Sequence, residues 1–102
     1  MTYGVTVDVA APVELYDALH AALLQRTGAT VGGLLVHLAR KTDDGFQVTE
    51  VWESQAEYER YVDDVLTPVL QELSGGHASR DQQTERPFEV RGLVLPGVAV
   101  AV

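Results

Sequence analysis

Residues 3–10 alternate strictly, with Tyr3, Val5, Val7 and Val9 on one side and Gly4, Thr6, Asp8 and Ala10 on the other. A period of two predicts a strand with one buried face. Pro12 then stands where a helix takes its first residue, because its missing N–H costs nothing there. Leu15, Leu19, Ala22, Leu23 and Arg26 follow at helical spacing, and Gly28 supplies the left-handed C-cap. A second strand is predicted from about Gly33 to Lys41, and a third from Phe46 to Glu53. Asp43-Asp44-Gly45 forms a tight turn between them, the glycine furnishing a positive φ. On the third strand Phe46, Val48, Glu50 and Trp52 share one face. Ser54-Gln55-Ala56-Glu57 reads as a capping box. The helix it opens turns Tyr58, Tyr61, Val62, Val65, Val69 and Leu73 inward, and Pro68 forces a kink or a restart with Thr67 as a fresh N-cap. Residues 77–86 are polar enough for a loop. Phe88, Val90, Gly92 and Val94 make a last strand, and Pro96 precedes an apolar tail.

The order β-α-β-β-α-β predicts one α+β domain over residues 1–102. Its fold is ferredoxin-like, a four-stranded antiparallel sheet with both helices on one face. The other face is too apolar for water, since Leu35, Ala39, Thr49, Val51, Leu93 and Leu95 alternate with the positions assigned to the helix side. Burying a Val or Leu side chain is worth roughly 1.5–3 kcal/mol. A homodimer with facing sheets is therefore expected, with residues 96–102 either reaching across it or fraying as chain ends do.

Composition narrows the function classes. The 102 residues are 46% hydrophobic and 22% charged, as in an ordinary folded domain, and no stretch has the run of apolar residues a membrane helix needs. Fifteen acidic against seven basic residues leave a net charge of −8, which repels a phosphate backbone, so nucleic acid is not an expected partner. Zero cysteines remove disulfides, thiolate nucleophiles and thiolate metal sites. The start of the chain lacks the pattern of a secretory signal, which makes the cytoplasm the expected location.

Three segments carry a family likeness: Gly33-Leu34-Leu35-Val36-His37-Leu38-Ala39, then Asp44-Gly45-Phe46, then Val51-Trp52-Glu53-Ser54. Together they resemble the dimeric α/β-barrel superfamily, and within it the small proteins like the antibiotic biosynthesis monooxygenases. The resemblance implies a homodimeric α/β barrel and a cavity between sheet and helices with Trp52 in its wall. It also implies cofactor-independent oxidation of aromatic or polyketide-like molecules. The superfamily also holds polyketide cyclases, isomerases and haem-degrading enzymes, and fold alone does not choose among them. Haem degradation is disfavoured: its pattern needs an asparagine on the first strand and a histidine on the second helix. This chain has no asparagine, and residues 54–73 hold no histidine.

The candidate catalytic residues are Glu50 and His37, and the candidate ligand-binding residues are Trp52, Tyr58 and Tyr61. Glu50 on an apolar face would have its charge disfavoured, which suits general acid–base work; otherwise it reaches solvent or pairs with Arg40 or Arg91. An imidazole changes charge near neutral pH, so His37 would suit a proton shuttle. With a three-residue turn Leu38 pairs with Glu50 and Val36 with Trp52, which turns His37 away. A turn of two or four residues brings His37 beside Trp52. Trp52 is either a stacking surface with one N–H donor or a core anchor, and the two tyrosines either orient a phenol or pack the core. His20 is expected on the exposed or flanking side of the first helix, and His77 in the polar loop. The three histidines lack metal-site spacing, and no phosphate-binding glycine loop is present, so neither metal nor cofactor is expected. A non-catalytic binding or assembly domain remains the alternative, and a pocket of about 300 Å³ or more would favour a ligand.

Overall fold

The computed structural model describes residues 2–28, 30–74 and 83–94. Four strands, β1 (Tyr3–Val9), β2 (Leu34–Lys41), β3 (Phe46–Trp52) and β4 (Gln83–Phe88), form one antiparallel sheet in the order β2-β3-β1-β4. Helix α1 (Val13–Thr27) links β1 to β2, and helices α2 (Gln55–Tyr61) and α3 (Thr67–Ser74) follow β3. This is the ferredoxin-like α+β arrangement that the order of patterns predicts. Leu95, residues 96–102 and His77 lie outside the described residues.

The alternation of β1 and β3 is realised as read. Tyr3, Val5, Val7 and Val9 oppose Trp52, Glu50, Val48 and Phe46 on the helix side. Val5 and Trp52 are completely buried and centre a core that includes Tyr58 and Val62. Gly28 closes α1 at φ 66°, its N–H bonded to the carbonyl of Leu24. Pro12 is the N-cap rather than the first helical residue, with an extended ψ of 143°. The inward face of α1 differs from the expected one. Leu15 is 38% exposed, and no residue of the helix is buried.

Three further expectations are corrected. The ladder of β2 and β3 pairs His37 with Glu50 and Leu34 with Trp52, so of the registers left open the two-residue turn holds, and the faces assigned to β2 change with it. Thr42 and Gly45 exchange backbone hydrogen bonds, so only Asp43 and Asp44 form the tip. A two-residue tip shifts the register by one and reverses the side chains of β2 from Val36 to Lys41. Leu38 is thereby placed on the open face and Ala39 on the helix face. Gly45 is required for closeness, not for a positive φ: a Cβ there would lie 2.1 Å from the Val9 carbonyl and 2.8 Å from the Ala11 nitrogen.

The second correction concerns Pro68. Helix α2 does not restart at Thr67. It passes through a π-turn, Val62–Leu66, in which the Thr67 N–H bonds the carbonyl of Val62, and Thr67 itself is helical. The wider ring accommodates a residue that neither donates to position 64 nor tolerates its carbonyl close by. The extra residue also rotates the inward stripe: Leu66 packs against the core, whereas Leu73 is 44% exposed. Upstream, Ser54 caps α2 by accepting the Glu57 N–H at 3.3 Å, while the Glu57 carboxylate turns outward to Arg60.

The third correction is β4, which begins at Gln83, in the segment read as loop, and ends at Phe88. Residues 89–94 extend no strand. As an edge strand it tolerates Pro87, which has no N–H to give. The open face of the sheet is consequently mixed. Val36, Leu38, Val51 and Phe88 occupy one end. At the other, Arg40 donates to Gln47, Gln47 donates to Asp8, and Arg86 pairs with Asp8. These donors hold the Asp8 carboxyl below its ordinary pKa.

The core contains phenols, and burial raises the pKa of Tyr3, Tyr16, Tyr58 and Tyr61 above the ordinary 10. A raised folded-state value means that the folded chain holds protons the unfolded chain releases. The associated stability is complete below pH 10 and falls as pH rises beyond it. Ultraviolet titration of the native protein should accordingly show phenolate absorbance emerging above pH 10, with the unfolded protein titrating earlier. Gly45→Ala, which places a methyl group against backbone that cannot yield, should lower stability by about 1–3 kcal/mol in urea denaturation.

Candidate functional site

Glu50 is the buried ionisable residue of the sheet, 8% exposed. Its position follows from the alternation of β3, which sends it to the helix side between Val48 and Trp52. A carboxylate there needs donors for both oxygens. The Trp52 indole N–H donates to Oε1 at 3.2 Å, and the His37 Nδ1 lies 2.6 Å from Oε2. Neither Arg40 nor Arg91 pairs with it; those side chains bond Gln47 and Glu89. Among the described residues no buried side-chain polar atom lacks a partner.

The network continues outward. His37 Nε2 is 2.8 Å from the Tyr16 hydroxyl, which is also 3.4 Å from His20 Nδ1. Tyr16 and His20 are one turn apart on α1 and both half-buried, which is the flanking one of the two positions expected for His20. The rings of Tyr16, His20 and His37 are nearly parallel, within 16° of one another, with centroids 5.4–6.1 Å apart. Phe46 meets Tyr16 at 5.5 Å. The His37 side chain remains 29% exposed, so the outer end of the network is reachable beneath a helix that seals nothing completely. Burial first, and then the charge of Glu50, keep the Tyr16 phenol protonated beyond the ordinary range.

The sequence-derived residues divide between this network and the core. Glu50, His37 and Trp52 are joined directly. Trp52 is wholly buried and packs against Tyr58 at 5.8 Å and Tyr61 at 5.1 Å, so its ring belongs to the core and its N–H to Glu50. Tyr58 reaches past the core to hydrogen-bond Glu85 and lines a cleft of about 380 Å³ with Tyr3, Gln55, Glu59, Val62, Asp63 and Glu85. The size suits a small molecule. Glu50, His37, Trp52 and Tyr61 do not line that cleft. Sequence reasoning missed Tyr16 and His20 as site residues. The available signal was their i, i+4 spacing on a helix that must cross over the strand bearing His37.

A carboxylate that accepts from Nδ1 fixes the imidazole in the tautomer whose Nε2 is a base. The arrangement is chemically a proton acceptor backed by a buried negative charge. No protein-family model matches the chain, and neither does any curated protein. Solved structures do. A protein of unknown function from Nitrosomonas europaea aligns over 95% of this chain and 96% of its own, with TM-score 0.66 and 15% identity. A candidate antibiotic biosynthesis monooxygenase from Chloroflexus aurantiacus aligns over 92% and 98%, with TM-score 0.58 and 22% identity. A variant of SnoaB, a cofactor-independent oxygenase from Streptomyces nogalater, aligns over 93% and 95%, with TM-score 0.56 and 15% identity. At these identities the likeness is one of backbone: the chain has the ferredoxin-like α+β fold of the antibiotic biosynthesis monooxygenases.

Proposed function

We propose that the protein is a cofactor-independent oxygenase acting on a hydroxylated aromatic or polyketide-like molecule, working as a homodimer. The observation that carries this reading is the placement of His37 between Glu50 and Tyr16, a base unit at the accessible edge of a dry layer. The shared fold with SnoaB supports it. The chemistry requires no bound electron carrier. A methylene flanked by aromatic or carbonyl groups loses a proton to the His37–Glu50 pair, and the resulting delocalised carbanion is electron-rich enough to reduce dioxygen. One oxygen atom becomes the new carbonyl and the other leaves as water, so CH2 and O2 give C=O and H2O. The imidazolium formed on the way stays paired with Glu50, which lowers the cost of taking the proton.

A binding or assembly domain without chemistry is the second reading. It is favoured by the complete burial of Trp52, which leaves that indole no face for a ligand. Oxygen consumption with 1,8-dihydroxyanthrone separates the two. Wild-type uptake well above autoxidation, falling about 10²–10⁴-fold in kcat for His37→Gln and Glu50→Gln, supports the oxygenase. Wild-type uptake equal to that of buffer overturns it.

The second copy belongs on the open face of the sheet. Leu38 is 60% and Phe88 41% exposed there, beside Val36 and Val51, and burying each large side chain contributes roughly 1.5–3 kcal/mol. Sedimentation equilibrium at micromolar concentration should give twice the chain mass of 11.1 kDa. Leu38→Glu should sediment as a single chain.

A further inference from the structure

Both ring nitrogens of His37 are engaged, Nδ1 by Glu50 at 2.6 Å and Nε2 by the Tyr16 hydroxyl at 2.8 Å. The proton positions follow from the buried end. An ionised carboxylate only accepts, and Glu50 already takes the Trp52 N–H on Oε1, so the His37 Nδ1 must donate to Oε2. Nε2 then offers a lone pair, and the Tyr16 O–H points at it. The phenolic oxygen has lone pairs left, and its other neighbour, His20 Nδ1, stands at 3.4 Å, too far for a strong bond. A substrate that addressed His37 directly would have to expel a ring packed against Phe46, His20 and His37 itself.

We propose that the Tyr16 hydroxyl, not His37, is the group that meets the substrate, and that Tyr16, His37 and Glu50 form a proton relay. This rests on the proton-abstraction reading above and names its reacting atom. In the step, the substrate's acidic C–H or O–H breaks and its proton bonds to the Tyr16 oxygen. The proton that Tyr16 carried moves to His37 Nε2. The substrate keeps the electron pair as an anion, and the imidazolium remains beside the Glu50 carboxylate. Tyr16 never becomes a free phenolate, in keeping with a phenol that holds its proton more tightly than usual.

The test separates proton abstraction from oxidation. In deuterated buffer without oxygen, wild-type protein should accelerate hydrogen exchange at the methylene of 1,8-dihydroxyanthrone. Tyr16→Phe, which keeps the ring, should lose about 10²-fold or more of that acceleration. In parallel, long-range proton–nitrogen correlation of the [15N]histidine-labelled wild type should show His37 protonated on Nδ1 and bare on Nε2. Wild-type exchange retained by Tyr16→Phe overturns the relay. So does a His37 protonated on Nε2, or a wild type that accelerates no exchange. Exchange through Tyr16 without oxygen uptake sustains the relay and rejects the oxygenase.

Discussion

The Glu50 carboxylate is the constraint from which the rest of the site follows. A buried charge is tolerated only when it is fully hydrogen-bonded, and removing one partner of such a group commonly costs several kcal/mol. Trp52 satisfies one oxygen from the middle of the core, and His37 satisfies the other from the neighbouring strand. Among the described residues, one side chain thus ties the most buried aromatic to the most accessible titratable ring. The imidazole held in this way reaches the Tyr16 hydroxyl on α1 at 2.8 Å. Core, sheet edge and first helix are linked by three consecutive hydrogen bonds.

Much of this was legible in the residues, and the remainder failed for identifiable reasons. The alternation of Tyr3 to Val9 and of Phe46 to Trp52 sufficed for the central strands, since both have one dry face. Glu50 stood out because it interrupts an apolar face. Its partner did not, because pairing across a hairpin depends on the tip. Whether Gly45 belongs to the tip or closes it is decided by contacts with Val9 and Ala11, which are remote in sequence. Strand β4 was misplaced for a different reason. Thr84, Glu85 and Arg86 are polar because the strand is an exposed edge, and polarity alone reads as loop. The π-turn was foreseeable as a disturbance at Pro68, but the choice between a break and a widened turn depends on keeping Val62, Leu66 and Val69 on the core.

The sheet's two faces perform different work. On the helix side His37, Glu50 and Trp52 are joined to one another. On the open side the polar residues Arg40, Gln47, Asp8 and Arg86 form a chain at one end, and the apolar side chains gather at the other. Two such faces brought together in antiparallel fashion need not bury charge against charge. The polar residues satisfy one another within a single copy of the protein, which lowers the desolvation penalty of covering them. The division of the face therefore favours a specific orientation over indiscriminate association.

The irregularity between Leu34 and Val36 completes this logic. In a regular ladder, setting His37 opposite Glu50 would set Leu35 opposite Trp52. The bulge inserts one residue and gives that place to Leu34, which packs on the core cluster. It leaves the pairing of His37 untouched while bending the strand at the Trp52 end, where α2 begins. Register at the turn decides the chemistry of β2, and the bulge decides how its other end meets the core. Because the two are separated along the strand, the sequence can adjust the packing around Trp52 without moving His37.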